Sequence, residues 1–295
     1  MDADKPSPSL YLERPGPVQR FSGLFRQASI ATYEDNVFGI AKGAAYSSLL
    51  AFFPVLASVG AILASVNAGA VARVFARLLF LVIPPGTEDL VRSRITARNQ
   101  QSGWLILLAT LLSVWAASGA MMTLMEGFQA AYRLPSGRPF LKQRSVAILL
   151  VFIAAVPAIG ASALIVFGAR TETWMLTSLG LGPEEDLRTS VVLLFGFLRY
   201  VVALGAIVMV TGMMYYTGPN RQMKFPSVWP GAILATVLWL LATSGFALYV
   251  RHIANYNVLY GSIGAVIALL VWMYLISVIA LFGCEYNAVR ERLLE

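Results

Sequence analysis

Residues that commonly build catalytic and metal centres are scarce in this chain of 295 residues, which holds one cysteine, one histidine and only 13% charged side chains. With Cys284 alone, an internal disulfide is excluded. His252 alone offers none of the several His and Asp ligands that a metal-dependent hydrolase gathers around its metal. A metal-free hydrolase needs a paired general acid and base at a wet site, whereas His252 stands beside Arg251 at the end of an apolar stretch and reads as an interfacial residue. No G-x-x-x-x-G-K-[ST] run is present to cradle a nucleotide phosphate. The sequence therefore implies no enzyme and no cofactor, and it assigns no catalytic or metal-ligating residue. The first 20 residues carry acids and four prolines but no apolar core, and read as a disordered tail rather than a cleavable signal.

What the chain has instead is apolar sequence, 58% of it, where a soluble domain would carry roughly 25% charged residues. Six stretches reach the ~20 residues that a helix needs to cross a bilayer, at about 44–66, 104–125, 146–168, 191–215, 228–250 and 262–284. The expected fold is an all-α polytopic transmembrane helical bundle. Its six-span membrane domain covers 21–290, between the tail 1–20 and a short tail 291–295. Phe21, Leu24, Phe25 and Ala28 repeat with helical spacing beside Arg20 and Arg26, and residues 71–83 place Arg73 and Arg77 one turn apart. Both pieces suit short helices lying in the membrane interface, or packed on the bundle. The formal charge of +7 fits loops that meet anionic headgroups, and no basic segment is interleaved with base-stacking aromatics as nucleic-acid sites require. Membrane lipids are the expected partners, not nucleic acid, and the sequence sets no oligomeric state.

Alternate sides of these spans hold 13 and eight Lys and Arg residues, and the acidic run 184–186 falls on the poorer side. By the positive-inside rule both termini are cytoplasmic. Pro54 and Pro157 fall near mid-span, where proline removes a backbone hydrogen bond and kinks a helix. Broken helices at matching depth can mark a transport site, or simply shape packing. Glu126, Glu285 and Lys42 lie at the cytoplasmic ends of spans. They read either as a hydrated ion-pair layer with Arg133 or Arg290, or as a gate or proton-coupling carboxylate. Arg199 lies roughly 12 Å into the fourth span at 1.5 Å per residue, with no acid in the outer half of any expected span. It must snorkel, use backbone carbonyls or bind an anion, and is expected to point into the bundle. Asn255, Tyr256, Asn257 and Tyr260 form a short polar, aromatic connection that either caps the sixth span or lines the mouth of an outward cavity.

Several motifs are similar to those of the YihY/BrkB family of bacterial inner-membrane proteins. They are Tyr215 and Tyr216 followed by Gly218-Pro219-Asn220-Arg221, then Pro230-Gly231-Ala232, Phe246-Ala247-Leu248-Tyr249, and Tyr256-Asn257 with Tyr260-Gly261-Ser262. Gly283-Cys284-Glu285-Tyr286-Asn287-Ala288 resembles the family's G-A-E-L-N-A ending, departing from it at Cys284 and Tyr286. Upstream, AAYSSLLAFFP at 44–54, Ser118-Gly119-Ala120 through Tyr132, and Arg138-Pro139-Phe140 also match. The resemblance covers roughly residues 25–290 and implies six spans and an inner-membrane address. It implies no settled activity, since members have carried the labels ribonuclease BN and virulence factor. Two functions stay open: a transporter or translocator of a lipid or other amphipathic anion, and a non-transporting envelope protein that assists assembly and binds partners.

Overall fold

The computed structural model describes residues 17–65, 103–135, 137–178, 186–252 and 256–294. The stretch 71–83 lies outside them. Among the described residues the chain is all helix: α1 (Pro17–Glu34), α2 (Val37–Ser65), α3 (Gly103–Ala131), α4 (Phe140–Ser178), α5 (Asp186–Thr217), α6 (Trp229–His252) and α7 (Tyr256–Arg292), with a 3-10 turn at Phe225–Ser227 before α6. Six of the seven α-helices are long and apolar enough to cross a membrane, and α1 is not among them. In lipid every backbone N–H and C=O must be satisfied within the segment, which a helix alone achieves without a closed sheet.

The helices ring one hub. Consecutive pairs α2–α3, α3–α4, α4–α5 and α5–α6 are neighbours, and α7 packs against α1, α2, α3 and α6. Residues 281–289 of α7 are buried without a break, which for a helix means contact on every side. On one flank Leu24, Ala28 and Ala31 of α1 lie against Phe282, Tyr286 and Val289, with Phe25 edge-on to Phe282 at 5.1 Å. The apolar repeat of α1 thus packs on the bundle, with Phe21 at its half-exposed edge 6.1 Å from the Tyr286 ring, while Ile30 and Tyr33 stay exposed. Elsewhere on α4, α5 and α6 large apolar side chains face outward, among them Phe152, Ile159, Phe197, Val202, Leu241 and Leu248. Lipid, being as apolar as these chains, does not penalise that exposure.

At the α6–α7 crossing neither helix has room for a side chain. A Cβ on Gly231 would run into the Gly283 carbonyl, and one on Gly283 would sit 2.7 Å from the Gly231 carbonyl. Asn287 locks the crossing. Its Oδ1 accepts from the Gly231 N–H at 2.7 Å, and its Nδ2 donates to the Val228 carbonyl at 2.9 Å. Gly231 is in the first turn of α6, where backbone N–H groups have no partner within their own helix, so α7 supplies the cap. A second device closes the end of α5: Arg138 donates to the carbonyls of Thr217, Gly218 and Pro219 at 2.9–3.0 Å. Burial pulls its guanidinium below its ordinary pKa. Asn287→Ala should destabilise the protein by about 1–3 kcal/mol, the cost of a buried N–H left without an acceptor. Gly231→Ala should do more harm, because its obstacle is backbone. Thermal unfolding in detergent followed by circular dichroism would measure both.

Candidate functional site at the buried end of the bundle

Two helix corners build this end. Between α1 and α2 the chain turns at Asn36, φ 52°, and after α3 it turns at Arg133, φ 51°. Arg133 holds the left-handed position that ends a helix, with its N–H on the Ala130 carbonyl and the Leu134 N–H reaching back to Gln129. Glycine is the usual occupant there, and strain in a non-glycine residue clusters at functional positions. What arginine adds is a side chain: Nε donates to Asp35 Oδ1 at 3.3 Å and Nη2 to Glu34 Oε2 at 3.2 Å. Asp35 and Glu34 hold that guanidinium charged above its ordinary range. Arg133 is mostly exposed, so the pairs add little stability. Their effect is to aim Asp35.

Behind them lies Glu285, 0% exposed. Arg292 Nη2 is 3.7 Å from its Oε2, while the same nitrogen donates to the Ala131 carbonyl at 2.9 Å. Neither carboxylate oxygen of Glu285 accepts a hydrogen bond among the described residues, and nor does Asp35 Oδ2, although Asp35 acts electrostatically on Glu285. On the neighbouring side Arg221 pairs with Glu291 at 2.9 Å and lies 5.7 Å from the centre of the Tyr132 ring. The Tyr132 hydroxyl and Glu291 Oε2 are also buried without a donor or acceptor partner. Burial, with Glu291 and Glu285 nearby, pushes the Tyr132 phenol well above its ordinary pKa. Cys284 is buried. Among the described residues no three His, Cys, Asp or Glu side chains are grouped so as to hold a metal. The arrangement is a set of buried oxygens held by long or partial ion pairs. Desolvating a charge is repaid only by good geometry and further hydrogen bonds, so small changes in Arg292 or Asp35 change the balance at Glu285.

The other residues singled out from sequence do not join this cluster. Glu126 and Lys42 are exposed, so of the three boundary charges only Glu285 is buried, and its partner is Arg292 rather than Arg133 or Arg290. Pro54 lies within α2, half-buried, its carbonyl 2.6 Å from the Ser113 hydroxyl of α3. Pro157 lies within α4 between exposed Val156 and Ile159, and both helices continue through their prolines. Arg199 is half-buried on the side of α5 that carries Gly196 and buried Ala203. Its Nη2 lies 3.8 Å from where a Gly196 Cβ would be, one turn back toward the start of α5. Asn255 lies outside the described residues. Tyr256, Asn257 and Tyr260 belong to the first turns of α7, but their side chains lie outside the description.

Sequence reasoning missed Asp35, Tyr132 and Arg292 as neighbours of Glu285, and Glu291 as the partner of Arg221. Asp35 and Tyr132 lie some 150–250 positions from Glu285, and contact across that separation has no local signature, whereas Arg292 lies two turns along the same helix, a spacing that the sequence does offer. The third span expected at about 146–168 left Arg144 in the loop before it, whereas Arg144 lies in the first turns of α4. If Glu285 is a charge held mainly by Arg292, Glu285→Gln should leave the melting temperature unchanged or raise it, and Arg292→Ala should lower it. In the double variant the Arg292→Ala loss should shrink, with a coupling of about 0.5–3 kcal/mol. Additive effects would mean that the pair is not coupled.

Comparison with known proteins accords with the geometry. Over 194 residues the chain is 31% identical to the ribonuclease-like protein YfkH of Bacillus subtilis, covering 66% of this chain and 68% of that one. It is 29% identical over 259 residues to a UPF0761 membrane protein of Alteromonas mediterranea, covering 86% and 83%. It is 25% identical over 277 residues to a UPF0761 membrane protein of Tolumonas auensis, covering 92% and 85%. No solved structure matches. The virulence factor BrkB family model matches residues 31–294, a stretch that runs from α1 to the end of α7 and contains every motif that meets at the buried end. This chain is a multi-pass membrane protein and belongs to the virulence factor BrkB family.

Proposed function

We propose that the protein translocates an amphipathic anion, a lipid or lipid-like molecule, across the bacterial inner membrane, with both termini in the cytoplasm and the buried end of the bundle as its cytoplasmic gate. The observation that carries this reading is Glu285. A fully buried ionisable side chain within a membrane-spanning helix is costly and is a candidate functional residue by default. A rigid scaffold would gain stability by replacing it with an apolar residue of similar volume. A gate, by contrast, needs an element whose two arrangements differ by few kcal/mol, which a buried carboxylate with a 3.7 Å partner supplies. The 13 Lys and Arg residues on the side of the termini support the orientation.

A second reading, a non-transporting envelope protein that binds partners, is favoured by the Gly231–Gly283–Asn287 lock, which fixes the same end by backbone contact. Ribonuclease action belongs to neither reading. A name is no activity, whether ribonuclease BN in the family or ribonuclease-like in the Bacillus subtilis relative, and the single His252 provides neither a ligand set nor an acid–base pair.

Sealed vesicles holding the full chain and fluorescent phosphatidylglycerol decide between the two. Dithionite added outside should bleach the inner-leaflet pool only when protein is present, and Glu285→Gln should change that rate about tenfold, equivalent to ~1.4 kcal/mol in barrier. Bleaching no faster than in protein-free vesicles would leave the second reading standing. A reporter active only in the periplasm and fused at Glu295 should stay silent, and a strong signal would reverse the orientation. Purified protein should degrade RNA no faster than buffer. Cleavage that follows the protein through size exclusion and vanishes in His252→Ala would overturn the non-enzymatic reading.

A further inference from the structure

On the seam of α3 and α4, about midway along the membrane-spanning length of α3, one guanidinium is held in an unusual way. Arg144 leaves α4 four residues after its start at Phe140. An arginine so close to a helix end ordinarily snorkels to the near interface. This one extends the other way, along α3. Its carbon lies 3.8 Å from the centre of the Trp115 ring. Nη2 donates to the Trp115 carbonyl at 3.0 Å and Nη1 to Met122 Sδ at 3.2 Å. Trp115 lies nine residues into the span Ile106–Ala131 and Met122 sixteen, about 13 and 24 Å along a helix of 1.5 Å rise. The guanidinium is therefore far from both interfaces.

Its donors are only partly answered. Of five N–H groups on an arginine, two have acceptors, and those are a thioether and a carbonyl already used by the Ser118 hydroxyl. Nε is buried without a partner. No carboxylate pairs with Arg144 among the described residues. The Trp115 ring covers one face of the guanidinium and is itself 57% exposed, in a strip with Leu111, Leu112 and Leu149. The result is a fixed cation at the edge of an outward-facing apolar strip, with no carboxylate among the described residues on its terminal N–H groups.

We propose that Arg144 and Trp115 form a binding site for the phosphate of an anionic phospholipid, the headgroup on the guanidinium fork and the acyl chains along the α3–α4 seam. Charge complementarity names the occupant: a planar fork of donors suits phosphate oxygens in bidentate fashion, and the apolar strip suits hydrocarbon. A resting phospholipid keeps its phosphate at the interface, so a headgroup held this deep is one in passage. The site deepens the translocation reading by naming the headgroup and its foothold.

The test is native mass spectrometry of the full chain after exchange into mixed micelles of phosphatidylglycerol and phosphatidylcholine. Wild type should retain phosphatidylglycerol in preference. Arg144→Lys, which keeps the charge and loses the fork, should reduce that retention about tenfold, as expected for one charge-assisted hydrogen bond. Trp115→Leu should weaken it in the same direction, and Arg26→Gln on exposed α1 should not. Thermal unfolding of each variant separates lost binding from lost fold, and the lysine variant serves if a neutral one does not fold. Equal retention by wild type and Arg144→Lys would overturn the site. Displacement of the lipid by inorganic phosphate would overturn its assignment to a lipid. Because this measures occupancy and the vesicles measure flux, absence of flux with Arg144-dependent retention would remove the translocation reading and leave the site. Flux without such retention would do the reverse.

Discussion

The contact between Gly231 and Gly283 sets the spacing on which the rest of the buried end depends. With no Cβ on either helix, α6 and α7 approach until backbone meets backbone, an arrangement suited to membranes because close packing replaces the hydrophobic drive that lipid does not provide. Only at that spacing does the Asn287 amide reach both the Gly231 N–H, which has no partner in its own helix, and the Val228 carbonyl just before α6, which it shares with the Ala232 N–H. The Tyr215 hydroxyl then reaches the Ala280 carbonyl at 2.6 Å, with Phe128 edge-on to its ring at 5.4 Å. Moving α7 outward by the width of a methyl group would break all of these together.

That same closeness makes the electrostatics of the end unusual. Glu285 lies two residues before Asn287 and two after Gly283, so packing the lock also drives a carboxylate out of water. Arg292, two turns further along the helix from Glu285, cannot approach closely because it is also held by the Ala131 and Ala288 carbonyls. Asp35 is aimed by an arginine in a strained backbone conformation. The stability of the lock and the discomfort of the charge have one cause.

Arginine does several different tasks in this bundle. Arg138 caps the end of α5 through three carbonyls, where a cation is favoured by the helix dipole. Arg133 orients an acid at a helix corner. Arg199 lies half-buried along its own helix, its Nη2 beside Gly196 one turn back. Arg144 runs inward, onto a tryptophan face that stabilises it by a cation–π contact.

Much of the architecture was legible in the sequence. Six long apolar stretches, in a chain with few charges, permit little but a helical bundle, because lipid leaves backbone polar groups no other partner. The apolar repeat at Phe21, Leu24, Phe25 and Ala28 announced α1, and Glu285 stood out as an acid at a span end. What only the tertiary structure decided was which of these residues meet. Glu126, Lys42 and Glu285 look alike as charges at span ends, yet two are exposed and one is buried. The difference is set by the helix face each occupies and by the centrality of α7, which hydropathy does not encode. Arg144 read as a loop cation because sequence locates a Cα, while the place of a guanidinium is chosen by whichever neighbouring helix offers an acceptor and a ring. Hydrophobicity is a local property of the chain and could be read along it. Partnership between polar groups depends on packing across it, and so had to wait for the fold.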